Sequence, residues 1–129
     1  MADSISWQDW YERAERHFQR AMDDVIEYPT QASGELHFAS ELYLKAVILL
    51  TQRLPERTHV LEKILQSIDP NLSMTALEFA AADMLTKIGF QERYPGSFDE
   101  ISPEEAQIML NAAKVLRAYA REKLGLENL

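Results

Sequence analysis

Leu36-His37-Phe38-Ala39-Ser40-Glu41-Leu42-Tyr43-Leu44-Lys45-Ala46-Val47-Ile48-Leu49-Leu50 is the stretch on which the fold turns. Helical spacing puts Phe38, Leu42, Ala46 and Leu49 on one side and Leu36, Ala39, Tyr43, Val47 and Leu50 on the other, so the cylinder is apolar almost all round. Such a helix, predicted from about Gln31 or Ser33 to Arg53, has to be enclosed by other helices or by a partner subunit, because in water it would expose a large sticky surface. His37, Glu41, Lys45 and Gln52 fall within about 80° of each other and form one narrow hydrophilic strip. From spacing alone, a strip facing water is the simpler reading of Glu41 and Lys45. The sharper reading is a partly desolvated pair, one turn apart, that holds the ammonium rigidly beside a cleft.

On either side of this segment the same periodicity recurs. Trp7, Tyr11, Ala14, Phe18, Ala21 and Val25 alternate spacings of four and three, which predicts a helix from about Ser6 to Val25. Ser6 with Asp9 forms a candidate cap, and Tyr28-Pro29 closes the segment because a residue before proline avoids the helical region. Leu54-Pro55-Glu56-Arg57 is a break, after which Thr58 is the candidate cap of a short helix through Val60, Leu61, Ile64, Leu65 and Ile68 that ends at Asp69-Pro70. A fourth helix starts near Ser73, carries Leu77, Ala81, Met84 and Ile88, and stops between Gly89 and Arg93-Tyr94-Pro95-Gly96. Ser102-Pro103-Glu104-Glu105 combines an N-cap serine, a first-turn proline and a capping-box glutamate, and opens a fifth helix to about Leu124 with Gly125 as the stop. With no repeat, linker or low-complexity tract, residues 1–129 are expected to form a single all-α domain, an up-and-down bundle of four long helices plus one short helix.

Composition agrees with this reading. The chain has 129 residues, 4 glycines, no cysteine and a formal net charge of −8. A sequence so poor in glycine and rich in helix formers is not an all-β protein. The lack of cysteine excludes disulfides, thiolate metal sites and cysteine nucleophiles, and fits a reducing compartment. The longest apolar run, Ala46 to Leu50, is far too short for a membrane span, and Met1-Ala2-Asp3 lacks the layout of a signal peptide, so a cytoplasmic protein with no membrane contact is expected. An acidic total disfavours broad, salt-driven coating of nucleic acid. Lys114, Arg117, Arg121 and Lys123 cluster late in the fifth helix and acids early, a distribution that follows the helix dipole.

Known chemical signatures are sparse. The one Glu-x-x-His, Glu56 to His59, straddles the proline break, so neither a di-iron site nor any other metal or cofactor is expected. Gly-rich phosphate loops, Gly-x-Ser-x-Gly and His-Glu-x-x-His do not occur. Arg13, His17 and Arg20 form a basic line on the first helix, but interleaved acids make it a solvated face. Arg93-Tyr94-Pro95 joins an arginine, an aromatic and a rigid turn, a set suited to pairing with phosphate and stacking on a base.

Phe38-Ala39-Ser40-Glu41-Leu42-Tyr43-Leu44-Lys45-Ala46, then Thr58-His59-Val60-Leu61, then Arg93-Tyr94-Pro95, then a Glu-Glu-Ala helix start at Glu104, taken in this order, resemble the HEPN domain family over nearly the whole chain. The resemblance implies a bundle of about five helices, frequent homodimers, and a link to nucleotides or RNA, often beside a minimal nucleotidyltransferase partner in the manner of toxin–antitoxin pairs. It places Glu41 and Lys45 on the second helix, His59 at the cap of the third, and Arg93 and Tyr94 at the end of the fourth. In that setting Lys45 and Arg93 would offer charge to a phosphate, Tyr94 a stacking face, and His59 a donor near the positive end of a helix. The ribonuclease branch of the family carries Arg, four to six residues, then His. Only Arg53 to His59 fits that spacing, and it lies in the break between the second and third helices, earlier than the motif of the nuclease members. The expectation is therefore a non-catalytic, nucleotide- or RNA-binding homodimer that binds through Lys45, Glu41, His59, Arg93 and Tyr94. The alternatives are a ribonuclease toxin using Arg53 and His59, or a purely structural dimerisation module.

Overall fold

A computed structural model describes residues 6–73, 75–90 and 100–126. Five helices follow in chain order: α1 (Trp7–Asp24), α2 (Pro29–Leu50), α3 (Leu61–Ile68), α4 (Leu77–Phe90) and α5 (Pro103–Lys123), and no strand occurs among the described residues. The all-α bundle with one short helix is the architecture that the apolar spacing predicts.

Enclosure of α2 organises the molecule. From Leu36 to Ile48 every residue except Phe38 is buried, because α1, α3, α4 and α5 all pack against this one helix. The apolar cylinder is thus covered within the single chain, and its burial by neighbouring helices needs no second subunit. Leu36, Tyr43 and Leu44 of α2 are fully buried in one core cluster with Ala14 and Phe18 of α1, Leu61 and Leu65 of α3, Leu85 of α4 and Leu116 of α5. Among the described residues no helix is long and apolar enough to cross a membrane.

Helix ends show where local signals prevailed. Ser6 Oγ accepts from Asp9 N at 3.2 Å, and Ser102 with Glu105 forms a complete capping box, as the sequence predicts. Gly125 has φ 74°, a conformation natural to glycine, and closes α5. α1 spans Trp7–Asp24, within a residue of the predicted Ser6 to Val25, but Tyr28-Pro29 is not its stop: Pro29 opens α2, ahead of the predicted start at Gln31 or Ser33, where its missing N–H is not needed. α4 begins at Leu77 and not near Ser73. α2 stops at Leu50 and not Arg53, with Gln52 at φ 62° turning the chain. Thr58 is not the cap of α3: its Oγ1 accepts from Val60 N at 3.2 Å in a local turn, and the helix begins only at Leu61. His59 consequently lies ahead of α3 and not on its first turn.

Candidate functional site

The hydrophilic strip on α2 does not face water. His37, Glu41 and Lys45 are all buried, at 8%, 4% and 7% exposure. The solvated-strip reading fails because α3 and the connection before it fold over this side of α2, which spacing within one helix cannot register. Gln52, the strip's fourth member, lies past the end of the helix and is exposed.

Glu41 is the hub. Lys45 Nζ donates to Glu41 Oε2 at 2.8 Å from the next turn of α2. His59 Nδ1 lies 2.8 Å from Glu41 Oε1. A carboxylate accepts only, so the proton of this bond is on Nδ1, and Nε2 is the ring nitrogen left for other contacts. Lys45 and Glu41 neutralise one another inside the protein, whereas the His59 side chain is 76% exposed. Lys45 is therefore committed to Glu41.

Beside this cluster a groove of about 510 Å³ opens between α2, His59 and the end of α4. Its walls are Ser33, Gly34, His37, Phe38 and Glu41 from α2, together with His59 and Gly89. No Lys or Arg side chain lines it among the described residues. Phe38 breaks the buried run of α2 by turning to this surface, and His17 packs edge-on against its ring with centroids 4.8 Å apart. His17 is itself fixed by Glu35 Oε2, 2.6 Å from its Nδ1, so part of the basic line on α1 is a brace and not a free solvated face. Burial, opposed in part by Glu41, pushes the His37 imidazole below its ordinary value and keeps it neutral near pH 7.

Of the residues predicted for the site, Glu41, Lys45 and His59 come together in one bonded set; Arg93 and Tyr94 lie outside the described residues. Arg53 does not join His59. Its Nε donates to Thr51 Oγ1 at 3.0 Å and its Nη2 to the Ser67 carbonyl at 3.2 Å. Sequence reading missed Gly34, Phe38 and Gly89 as groove walls; Gly34 inside the predicted second helix was a signal available to it, whereas Gly89 read as the start of a helix stop. It also missed a second polar cluster. Glu15 on α1 accepts from Arg117 of α5 through Nε and Nη2 at 2.7 and 3.0 Å and also accepts from the Tyr43 hydroxyl, while Arg121 donates to the Tyr11 hydroxyl. These late basic residues thus bind α1, a role that the helix-dipole reading does not cover. Among the described residues no group of three or more metal-ligating side chains converges.

An enclosed second helix thus has Glu41 and Lys45 meeting a histidine from the connection that follows it. The sequence model of the HEPN domain matches residues 7–123. The chain belongs to the HEPN domain family. Neither the curated proteins nor the solved structures contain a match to it. In this HEPN domain the match begins with α1 and ends with α5, so the groove and the Glu41 cluster lie wholly inside the family unit.

Proposed function

We propose that this HEPN domain binds a nucleotide or a short stretch of RNA at the α2 groove and is not itself a catalyst. One observation carries the reading: Glu41, Lys45 and His59 are bonded together at the edge of a groove of about 510 Å³ that has an aromatic wall. A cavity of this size with apolar walls and a few fixed polar groups is the usual form of a small-molecule site. His59 presents its second nitrogen at the rim, and Glu41 offers remaining lone pairs to donors on the ligand. Arg93 and Tyr94 keep the roles their chemistry suggests in this reading, Arg93 pairing with a phosphate and Tyr94 stacking on a base. The separate engagements of Arg53 and His59 favour binding over ribonuclease chemistry.

Thermal melting with ATP, GTP and a short single-stranded RNA tests the proposal. A ligand at 100 times its Kd adds about 2.7 kcal/mol of stability. A shift with at least one of them that is lost in His59→Ala is the expected result; no shift with any of them refutes the reading. We further propose that the domain acts in the cytoplasm as a homodimer that docks a minimal nucleotidyltransferase, in line with its family. Exposed Ile26, Tyr28, Leu54 and Leu77 leave apolar surface for such contacts, and sedimentation at micromolar concentration measures the self-association.

A further inference from the structure

Gly34 on α2 and Gly89 on α4 stand inside helices, and both line the same groove. A glycine within a helix costs about 1 kcal/mol relative to alanine, so each weakens its own helix. Neither is required by its backbone, since neither has a positive φ. Packing does not require them either: a Cβ on Gly34 would meet nothing within 4 Å, and one on Gly89 would make an ordinary 3.5 Å contact with Met109. What the missing side chains achieve is an open groove between α2 and α4.

The chemistry of the walls limits what enters. They carry Phe38, held edge-on by His17, and the neutral, buried His37, with no Lys or Arg among the described lining residues. Glu41, the carboxylate among the described lining residues, is already matched by Lys45. Among the described lining residues a polyanion finds no cation to offset its loss of water, whereas a flat uncharged ring gains apolar burial and aromatic contact.

Building on the nucleotide reading, we propose that the groove is a slot for the uncharged base of a nucleoside, entered between Gly34 and Gly89, with the phosphates left outside it. The slot supplies the part of the affinity that is independent of phosphate. Glu41 and His59 fix the edge of the ring, and Phe38 covers its face.

The test titrates the full chain with adenosine, guanosine, ATP, GTP and inorganic tripolyphosphate, and repeats the titrations with Gly34→Leu. Leucine is a good helix former placed in open space, so this variant should melt no lower than the parent. The expected result is that at least one nucleoside binds and competes with its own triphosphate, tripolyphosphate competes with neither triphosphate, and Gly34→Leu weakens nucleoside binding by at least about tenfold, about 1.4 kcal/mol. Competition by tripolyphosphate with no nucleoside binding overturns the slot and leaves the nucleotide reading standing. Nucleoside binding that Gly34→Leu does not weaken also overturns it. No binding of any nucleoside or nucleotide removes the slot and, if the short single-stranded RNA also fails to bind, the reading on which it rests.

Discussion

Arg117 grips Glu15 with two parallel hydrogen bonds, Nε to Oε1 at 2.7 Å and Nη2 to Oε2 at 3.0 Å, and so clasps the last helix to the first across 102 residues of sequence. Both side chains are only about a quarter exposed, at 24% and 28%, and the Tyr43 hydroxyl of α2 donates to the same carboxylate. Three helices therefore share one ion pair. Arg117→Ala is expected to destabilise the fold by about 1.5–3 kcal/mol, the range for hydrogen bonds to charged groups. A urea melt that does not move would show the clasp to be dispensable.

The same carboxylate makes stability depend on acid. Burial alone would raise the Glu15 pKa, but the hydrogen bonds from Arg117 and Tyr43 and the charges of Arg117 and Arg121 outweigh it and hold the group below the ordinary 4.5. A depressed pKa in the folded state stabilises the protein above 4.5, and that contribution is lost as the pH falls below 4.5 toward the folded value. Glu15→Gln is expected to lose less stability than the parent over that interval. Parallel pH profiles for the two proteins would refute the assignment.

His37 works in the same sense at higher pH. Burial lowers its pKa below 6.5, with the nearby His59 adding to the effect and Glu41 and Glu62 opposing it. The unfolded chain then takes up a proton that the folded chain refuses, so this residue removes stability as pH falls through 6.5. Chemical melts between about pH 7.5 and 5.5 should show a smaller loss in His37→Gln than in the parent. An equal loss would place the titration elsewhere.

Removing half of the buried pair in α2 should be severe. Glu41→Ala strands Lys45, whose side chain is 8% exposed, and a buried charge without its partner costs about 3–5 kcal/mol. Replacing both, as Glu41→Leu with Lys45→Met, should recover most of that stability while still losing the ligand. If the double variant melts as low as the single one, the loss has a cause other than the stranded ammonium.

His59 separates binding from folding. With 76% of its side chain exposed, His59→Ala should leave the melting temperature within about 2 °C of the parent while weakening the bound nucleotide. Calorimetric titration of the variant reads the effect directly. Unchanged affinity would remove His59 from the site.

Much of the architecture was legible because it rests on short-range rules. Ser102 and Glu105 cap α5 across three residues, and the apolar spacing of Trp7 to Val25 needs only the geometry of one helix. Errors arose where two local signals competed, as at Pro29, which reads equally as the end of one helix or the first residue of the next. In the candidate site, Glu41 and Lys45 were visible as an i,i+4 pair, and His59 was visible only through the family resemblance.

By itself the sequence determined the helices, their number and the need to enclose the second one, since hydrophobic period and capping act within a few residues. Tertiary structure decided what the charges do. Whether Glu41 faces water or the interior, whether Arg117 serves a helix end or Glu15, and whether two glycines are faults or an opening all depend on which surface packs opposite. Burial and dielectric are properties of that opposing surface, and a linear pattern holds no record of it.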